Sequence, residues 1–225
     1  MLSLPPRAAQ PFNVMKQLFS ITTTLLLLLS FGMPSLQAQS MRKPYKTVYV
    51  ERVIQAPAAR VWQAMVGDYG EISNFAPSIY ASGYEKGSLK GEVGAERKCY
   101  FNEKKSQWSH EQIRELDNDR MTMKNVIVDA AKFPLDLDNS YATYRVRDNG
   151  DGTSTASYEF NYRTSPGFMT GLVKGSFKKQ LNETLIGLDH YIRTGEEVNG
   201  FSGNWDAIKK DYKARGAYEG DFERG

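Results

Sequence analysis

One feature limits the folds open to this chain more than any other. An alternating stretch rich in Val and Tyr, Thr47 to Ile54, halts at Ala56-Pro57 and passes straight into helical sequence. Alternation over several residues is the mark of a half-buried strand. Pro at a first helical position, followed by Ala58 to Met65, predicts a short helix with Val61, Trp62 and Met65 on one face. Gly67 ends it, Asp68 is placed to cap a second helical turn through Ile72, and Pro77 closes the segment. Tyr45 to Pro77 therefore reads as an edge strand and two short helices, forming one wall of a hydrophobic cavity.

The chain beyond it alternates strands with turns. Strands are expected at Ser78–Tyr84, Ala95–Phe101, Gln107–Glu115, Met121–Val128, Ser140–Arg147 and Thr153–Tyr162. The last two pair around Asp148-Asn149-Gly150-Asp151-Gly152, the clearest hairpin turn in the chain. Phe168 to Arg193 then carries apolar residues at helical spacing, from Met169 and Leu172 through Phe177 and Leu181 to Leu188 and Ile192. Gly171, Gly175 and Gly187 weaken that helix by about 1 kcal/mol each, and close packing on a sheet is the expected reason for them.

At the other end, Leu18 to Phe31 is an apolar run behind the basic Lys16, and Pro34 and Ala38 follow it. That is the layout of a secretory signal peptide cut after Ala38; the alternative is an uncleaved leader that anchors the protein to a membrane, for which the run is short against a span of about 20 residues. Residues 1–38 are accordingly read as leader and signal peptide, with either Met1 or Met15 as the start. The domain is 45–195, and 196–225 is a linker, a short helix and a polar tail. Of the 29 Lys and Arg residues, Arg7 and Lys16 lie in the leader, which holds none of the 26 Asp and Glu, so the remainder is close to neutral. A near-neutral domain argues against nucleic acid as the partner. Cys99 is the single cysteine, so no intramolecular disulfide supports the domain in an exported setting.

The order of elements resembles the helix-grip fold of the START and birch-allergen-like superfamily, the SRPBCC or polyketide cyclase/dehydrase group. The residues that carry the resemblance are Val50 to Trp62, Gly67-Asp68-Tyr69-Gly70, Phe75-Ala76-Pro77, Val93 to Arg97, Glu111 to Asp117, Gly152-Thr153 and the final helix. It implies an α+β fold: a curved antiparallel sheet of about seven strands wrapped on a long C-terminal helix, with two short helices after the first strand. A lipocalin lacks those two helices, and a hotdog fold places its long helix early. The superfamily spans lipid carriers, allergens and cyclases, so the resemblance specifies function less closely than fold.

Candidate site residues follow from register. In a symmetric hairpin about Lys104, Arg97 faces Glu111, Cys99 faces Ser109, and Phe101 faces Gln107. Arg97, Cys99, Phe101, Ser109, Glu111 and Ile113 then share one face, taken as concave, and Lys98, Trp108 and His110 share the other. Two readings of Arg97 and Glu111 stand open: polar anchors for a ligand in an apolar pocket, or an ion pair that neutralises itself without touching one. Met121 and Met123 share a face, as do Tyr158, Phe160 and Tyr162, and Trp62, Phe75, Phe168, Leu172, Phe177 and Leu181 fall on the helical side. Each is either cavity lining or core packing.

His110 and His190 sit in no metal-ligand pattern, no nucleophile or phosphate-binding motif is present, and Cys99 reads as a buried inert thiol, so no metal or cofactor is expected. In the tail, Trp205, Ile208 and Tyr212 form an apolar stripe among Lys209, Lys210 and Lys213, which docks on the domain or touches a membrane or partner. The first functional expectation is an exported protein that binds a hydrophobic small molecule such as a lipid, polyketide or isoprenoid. A cyclase or dehydratase using Glu111 or a pocket tyrosine as acid or base, with Arg97 polarising an oxygen, is the alternative. An interaction protein acting through the tail is the third. Oligomeric state is left open.

Overall fold

The computed structural model describes residues 45–201 and 203–218; the leader and signal peptide read over 1–38 lie outside them. Seven strands, β1 (Lys46–Ile54), β2 (Ala81–Tyr84), β3 (Glu96–Tyr100), β4 (Trp108–Asp117), β5 (Thr122–Ala131), β6 (Tyr141–Asp148) and β7 (Ser154–Tyr162), form one antiparallel sheet in the order β1-β7-β6-β5-β4-β3-β2. Five successive hairpin neighbours run from β2 to β7. β1, the strand opening the chain, closes the row by pairing along its whole length with β7, from Lys46 opposite Tyr162 to Ile54 opposite Ser154. The alternation that marks β1 as a strand is also its burial pattern, with Val48, Val50 and Ile54 inside and Tyr49 and Val53 exposed. β4 is bulged against β5 at His110/Glu111 and at Ile113/Glu115. Such bulges bend a strand and let the sheet curve around what it covers.

After β1 the chain turns at Pro57, whose carbonyl accepts the first helical N–H groups, from Arg60 (3.0 Å) and Val61 (3.3 Å). Helix α1 (Ala58–Trp62) widens at once into a π-turn over Gln63–Gly67, and a 3₁₀ segment over Tyr69–Asn74 follows. The expected cap by Asp68 is made by its backbone alone: its carbonyl accepts the N–H of Glu71 at 2.8 Å, while its carboxylate takes a bond from Gln63. Trp62 is buried, and its indole N–H donates to Asn118 at 2.9 Å.

The long helix α2 runs over Lys174–Thr194, starting six residues later than its periodicity predicts. Residues Gly167–Thr170 form a separate 3₁₀ turn. The reason is local. The Thr170 hydroxyl bonds to the Thr164 hydroxyl at 2.9 Å and the Gly167 carbonyl at 2.8 Å, and the Thr170 carbonyl accepts from the Tyr162 hydroxyl at 2.9 Å. Tied down in this way, the turn stays separate from α2, and Phe168 within it and Leu172 just beyond it stand 78% and 77% exposed. Of the three glycines read as close-approach sites, only Gly187 is one. A Cβ there would lie 2.0 Å from the Phe75 carbonyl oxygen, whereas Gly171 and Gly175 face open space. Gly195, in the left-handed region at φ 74°, ends the helix.

Beyond it, α3 (Asn204–Ala214) returns to α2, and Trp205, Ile208 and Tyr212 are buried with Ile186 and Val198. Five such apolar side chains taken from water contribute roughly 1.5–3 kcal/mol apiece, enough to hold a short helix in place.

Candidate functional site

The register expected of the β3–β4 hairpin is the observed one: Arg97 pairs with Glu111 and Cys99 with Ser109, and Phe101 N–H donates to the Gln107 carbonyl. The face they share is the concave one. Arg97, Cys99, Ser109, Glu111 and Ile113 are buried, while Lys98, Trp108 and His110 remain partly exposed on the convex side. There Lys98 sits 3.9 Å over the Trp108 ring, and His110 pairs with Glu96 at 3.1 Å.

Between this face and α2 lies a cavity of about 100 Å³. One end is polar. The Arg97 guanidinium, only 1% exposed, donates to Glu111 Oε2 from Nε (3.0 Å) and Nη2 (2.7 Å), to the Tyr69 carbonyl from Nη1 (2.9 Å), and to the Tyr144 hydroxyl from Nη2 (3.0 Å). The Tyr69 ring lies beneath it at 4.0 Å. Glu111 accepts further bonds from Asn125 Nδ2 (3.0 Å) and from Ser109 Oγ (2.7 Å), and the Tyr69 hydroxyl donates to Asn125 Oδ1 at 2.5 Å. An ion pair taken from water is tolerated only when both charges are met by hydrogen bonds, and here they are. Burial opposes ionisation of Glu111, but Arg97 outweighs it and holds the carboxyl below its usual range. Burial likewise opposes the charge on Arg97, and Glu111 overrides it, holding the guanidinium charged. The pair is therefore locked in its charged form, with both oxygens of Glu111 already engaged.

The rest of the wall is apolar. Ile127, Ala142 and Phe160 come from the sheet, and Phe177 and Leu181 from α2. At the rim Phe101 stacks on Phe133 with centroids 5.0 Å apart, and Gln180 of α2 donates to the Ser78 hydroxyl at 2.8 Å. Tyr158 also lines the cavity, edge-on to Tyr144 at 4.5 Å, and its hydroxyl is buried without a hydrogen-bond partner among the described residues.

Of the residues singled out in the sequence, Arg97, Phe101, Glu111, Tyr158, Phe160, Phe177 and Leu181 meet at this cavity. Cys99, Ser109, Ile113 and Met123 are fully buried beside it, in the packed core. Met121 is outside β5, at the turn before it (φ 45°), and is half-buried. Trp62 and Phe75 are core residues. Phe168 and Leu172 are corrections: placed on the wall by periodicity, they point to solvent, Phe168 on the 3₁₀ turn and Leu172 between that turn and the start of α2. Burial, and then the charge of Glu111, pushes the Cys99 thiol far up, so it stays a protonated, inert group.

Three polar members escaped the sequence reading. Asn125 lies two residues beyond Met123 on the same strand face, and Tyr144 is the cross-strand partner of Tyr158, so the alternation already used pointed to both. Tyr69 had no such signal. It comes from the 3₁₀ segment after α1, which makes the opening unit a contributor to the polar end and more than a wall.

Comparison with known proteins agrees with this architecture. Ara h 8.0201 superposes with a TM-score of 0.55 at 18% identity, covering 67% of this chain and 99% of that one. Norcoclaurine synthase from Thalictrum flavum, in complex with dopamine and hydroxybenzaldehyde, gives 0.53 at 13% identity over 72% of this chain and 94% of its own. A Thermobifida fusca protein solved in solution gives 0.54 at 22% identity, over 68% and 96%. Likeness at such identities shows the helix-grip fold alone. No curated protein matches the chain. The family model described as polyketide cyclase / dehydrase and lipid transport matches residues 46–185, well over half of the sequence, and the chain belongs to that family.

Proposed function

We propose that this protein binds a hydrophobic small molecule in the cavity between the sheet and α2, without transforming it. The observation that carries the reading is the contrast within the cavity. Apolar walls from β5, β6, β7 and α2 lead to one compact polar end, built of buried and mutually oriented groups. Pockets that hold small ligands combine these two features. The cavity also limits what is seated. About 100 Å³ falls below the roughly 150 Å³ of an engineered cavity that accepts benzene. The buried part of the ligand is thus at most one ring or a short chain, seated as the rim or α2 gives way, and any longer tail leaves through the rim. Dopamine and hydroxybenzaldehyde, the compounds in the norcoclaurine synthase complex, are likewise single-ring compounds. A general-base role for Glu111 finds no support in a carboxylate whose two oxygens are already taken.

Purification of the full chain from its native cells, followed by extraction and mass spectrometry, tests the reading. One apolar compound in near-stoichiometric amount is expected, and its loss from Leu181→Trp, which fills the cavity at the α2 side. Recovery of none, together with no binding of single-ring probes, would sink it. The signal-peptide layout carries export as part of the same proposal. N-terminal sequencing of the native protein is expected to begin at Gln39.

A further inference from the structure

At the polar end of the cavity, hydrogen-bond donors outnumber acceptors. The carboxylate, amide and carbonyl acceptors there are all engaged: both oxygens of Glu111, the amide oxygen of Asn125 and the carbonyl of Tyr69. Two hydroxyl protons are not. Tyr144 Oη accepts from Arg97 (3.0 Å) and Asn125 (3.5 Å), and no group of the described residues accepts from it in return. Tyr158 Oη, on a side chain 1% exposed, has no partner among the described residues. The two phenols are cross-strand neighbours with rings in edge contact, and both line the cavity. A buried donor left unmet is costly, so a ligand that meets it gains where one that cannot does not. The charges of Arg97 and Glu111 cancel, so an added cation or anion would be buried without a counterion.

Resting on the binding role proposed above, we infer that the cavity selects uncharged ligands that present a hydrogen-bond acceptor, a ketone- or aldehyde-type carbonyl oxygen, to the Tyr144 and Tyr158 hydroxyls. Burial keeps both phenols protonated: Tyr144 is pushed up to about 12 and Tyr158 well above the usual phenol range, so both remain donors at any physiological pH. Tyr158 is the cleaner handle, because removing the Tyr144 oxygen would also deprive Arg97 of a partner.

The test uses four single-ring probes of nearly one shape, titrated into the full-length protein by NMR: acetophenone, α-methylstyrene (the same skeleton with CH₂ for oxygen), benzoate and 1-phenylethylammonium. Tyr158→Phe is expected to weaken acetophenone about fivefold and to leave α-methylstyrene within about twofold, with thermal stability equal or higher because an unmet hydroxyl has been removed. Acetophenone should exceed both charged probes in the wild type. Equal effects of Tyr158→Phe on ketone and hydrocarbon, tighter binding of either ion, or a drop in stability that reveals a structural partner for the hydroxyl would each overturn the inference while leaving cavity binding in place. Failure of all four probes to bind the wild type would overturn the selectivity and, with no apolar compound recovered from the native protein, the binding role as well.

Discussion

The two halves of α2 are held very differently. From Lys174 to Leu181 no residue is fully buried; Phe177 meets Phe160 and Tyr162 edge-on at 5.2 and 4.8 Å, and Gln180 bonds once to Ser78. From Asn182 onward the helix is clamped on several sides. Thr184 through Asp189 and Ile192 are buried, Gly187 lies against the Phe75 carbonyl, and Ile186 is covered by α3. Arg60 donates to the Ile192 carbonyl at 2.7 Å, and Asp189 binds Arg193 and the Tyr212 hydroxyl. The loosely held half is the one over the cavity rim. Local opening draws on the parts of a structure with few buried apolar contacts. The wall free to yield to the proposed ligand is thus distinct from the wall that anchors the fold, although one helix supplies both.

The sharpest attempt to break that division is Trp205→Ala, which strips α3 of its largest anchor on the clamped half. Removal of a buried aromatic from a packed cluster costs about 3 kcal/mol, read as a fall in melting temperature. Hydrogen exchange should then speed up mainly between Asn182 and Ile192. Uniform acceleration along α2 would show that the halves are one cooperative unit.

Gly187→Ala tests the same half from below. A Cβ 2.0 Å from a backbone oxygen forces α2 away from the 3₁₀ segment. Overpacking of about 3 kcal/mol, offset by about 1 kcal/mol of helix propensity, leaves a net loss of about 2 kcal/mol. An unchanged melting temperature would show that α2 slides freely even where it looks clamped.

Next comes the sheet under the loose half. Tyr144 ionises near pH 10 in the unfolded chain and at about 12 when folded. A raised acid pKa means that the folded state keeps its proton while the unfolded state loses it. The stabilisation is complete below pH 10 and falls by on the order of 2 kcal/mol as pH climbs toward 12. Denaturant melts at pH 9 and pH 11.5, compared between wild type and Tyr144→Phe, isolate it. The variant should lose part of the slope.

How much of this was legible in the sequence depends on the range of the forces involved. Alternation and helical spacing are local, so the strands, the hairpin register of Arg97 with Glu111 and the long helix can all be read from the order of residues. Period-two reasoning carried to the next residue would also have reached Asn125. Tyr69 was hidden because its partners, Arg97 and Asn125, are 28 and 56 residues away, and nothing in a 3₁₀ segment announces which way a side chain turns. Phe168 and Leu172 failed for the opposite reason. Their spacing matched α2, but side-chain bonds of Thr170 set the local winding against it, and such competition is invisible to a periodicity count.

The smallest effect bears most directly on function. Gly175 is the second residue of α2, exposed, with no atom within 4 Å of a built Cβ, so alanine there adds helix propensity and alters no contact. The gain expected near a helix end is about 0.5 kcal/mol, or a rise of roughly 1–2 °C in melting temperature. Because the substitution touches neither the polar end nor the apolar wall, equilibrium discrimination between acetophenone and α-methylstyrene should not move. What should change is exchange: a better-formed first turn opens less often, so association and dissociation of a bound probe both slow by about the same factor. Line-shape analysis at matched occupancy reads this. If both rates stay fixed while the melting temperature rises, the ligand passes elsewhere along the rim, and the Phe101–Phe133 side becomes the gate.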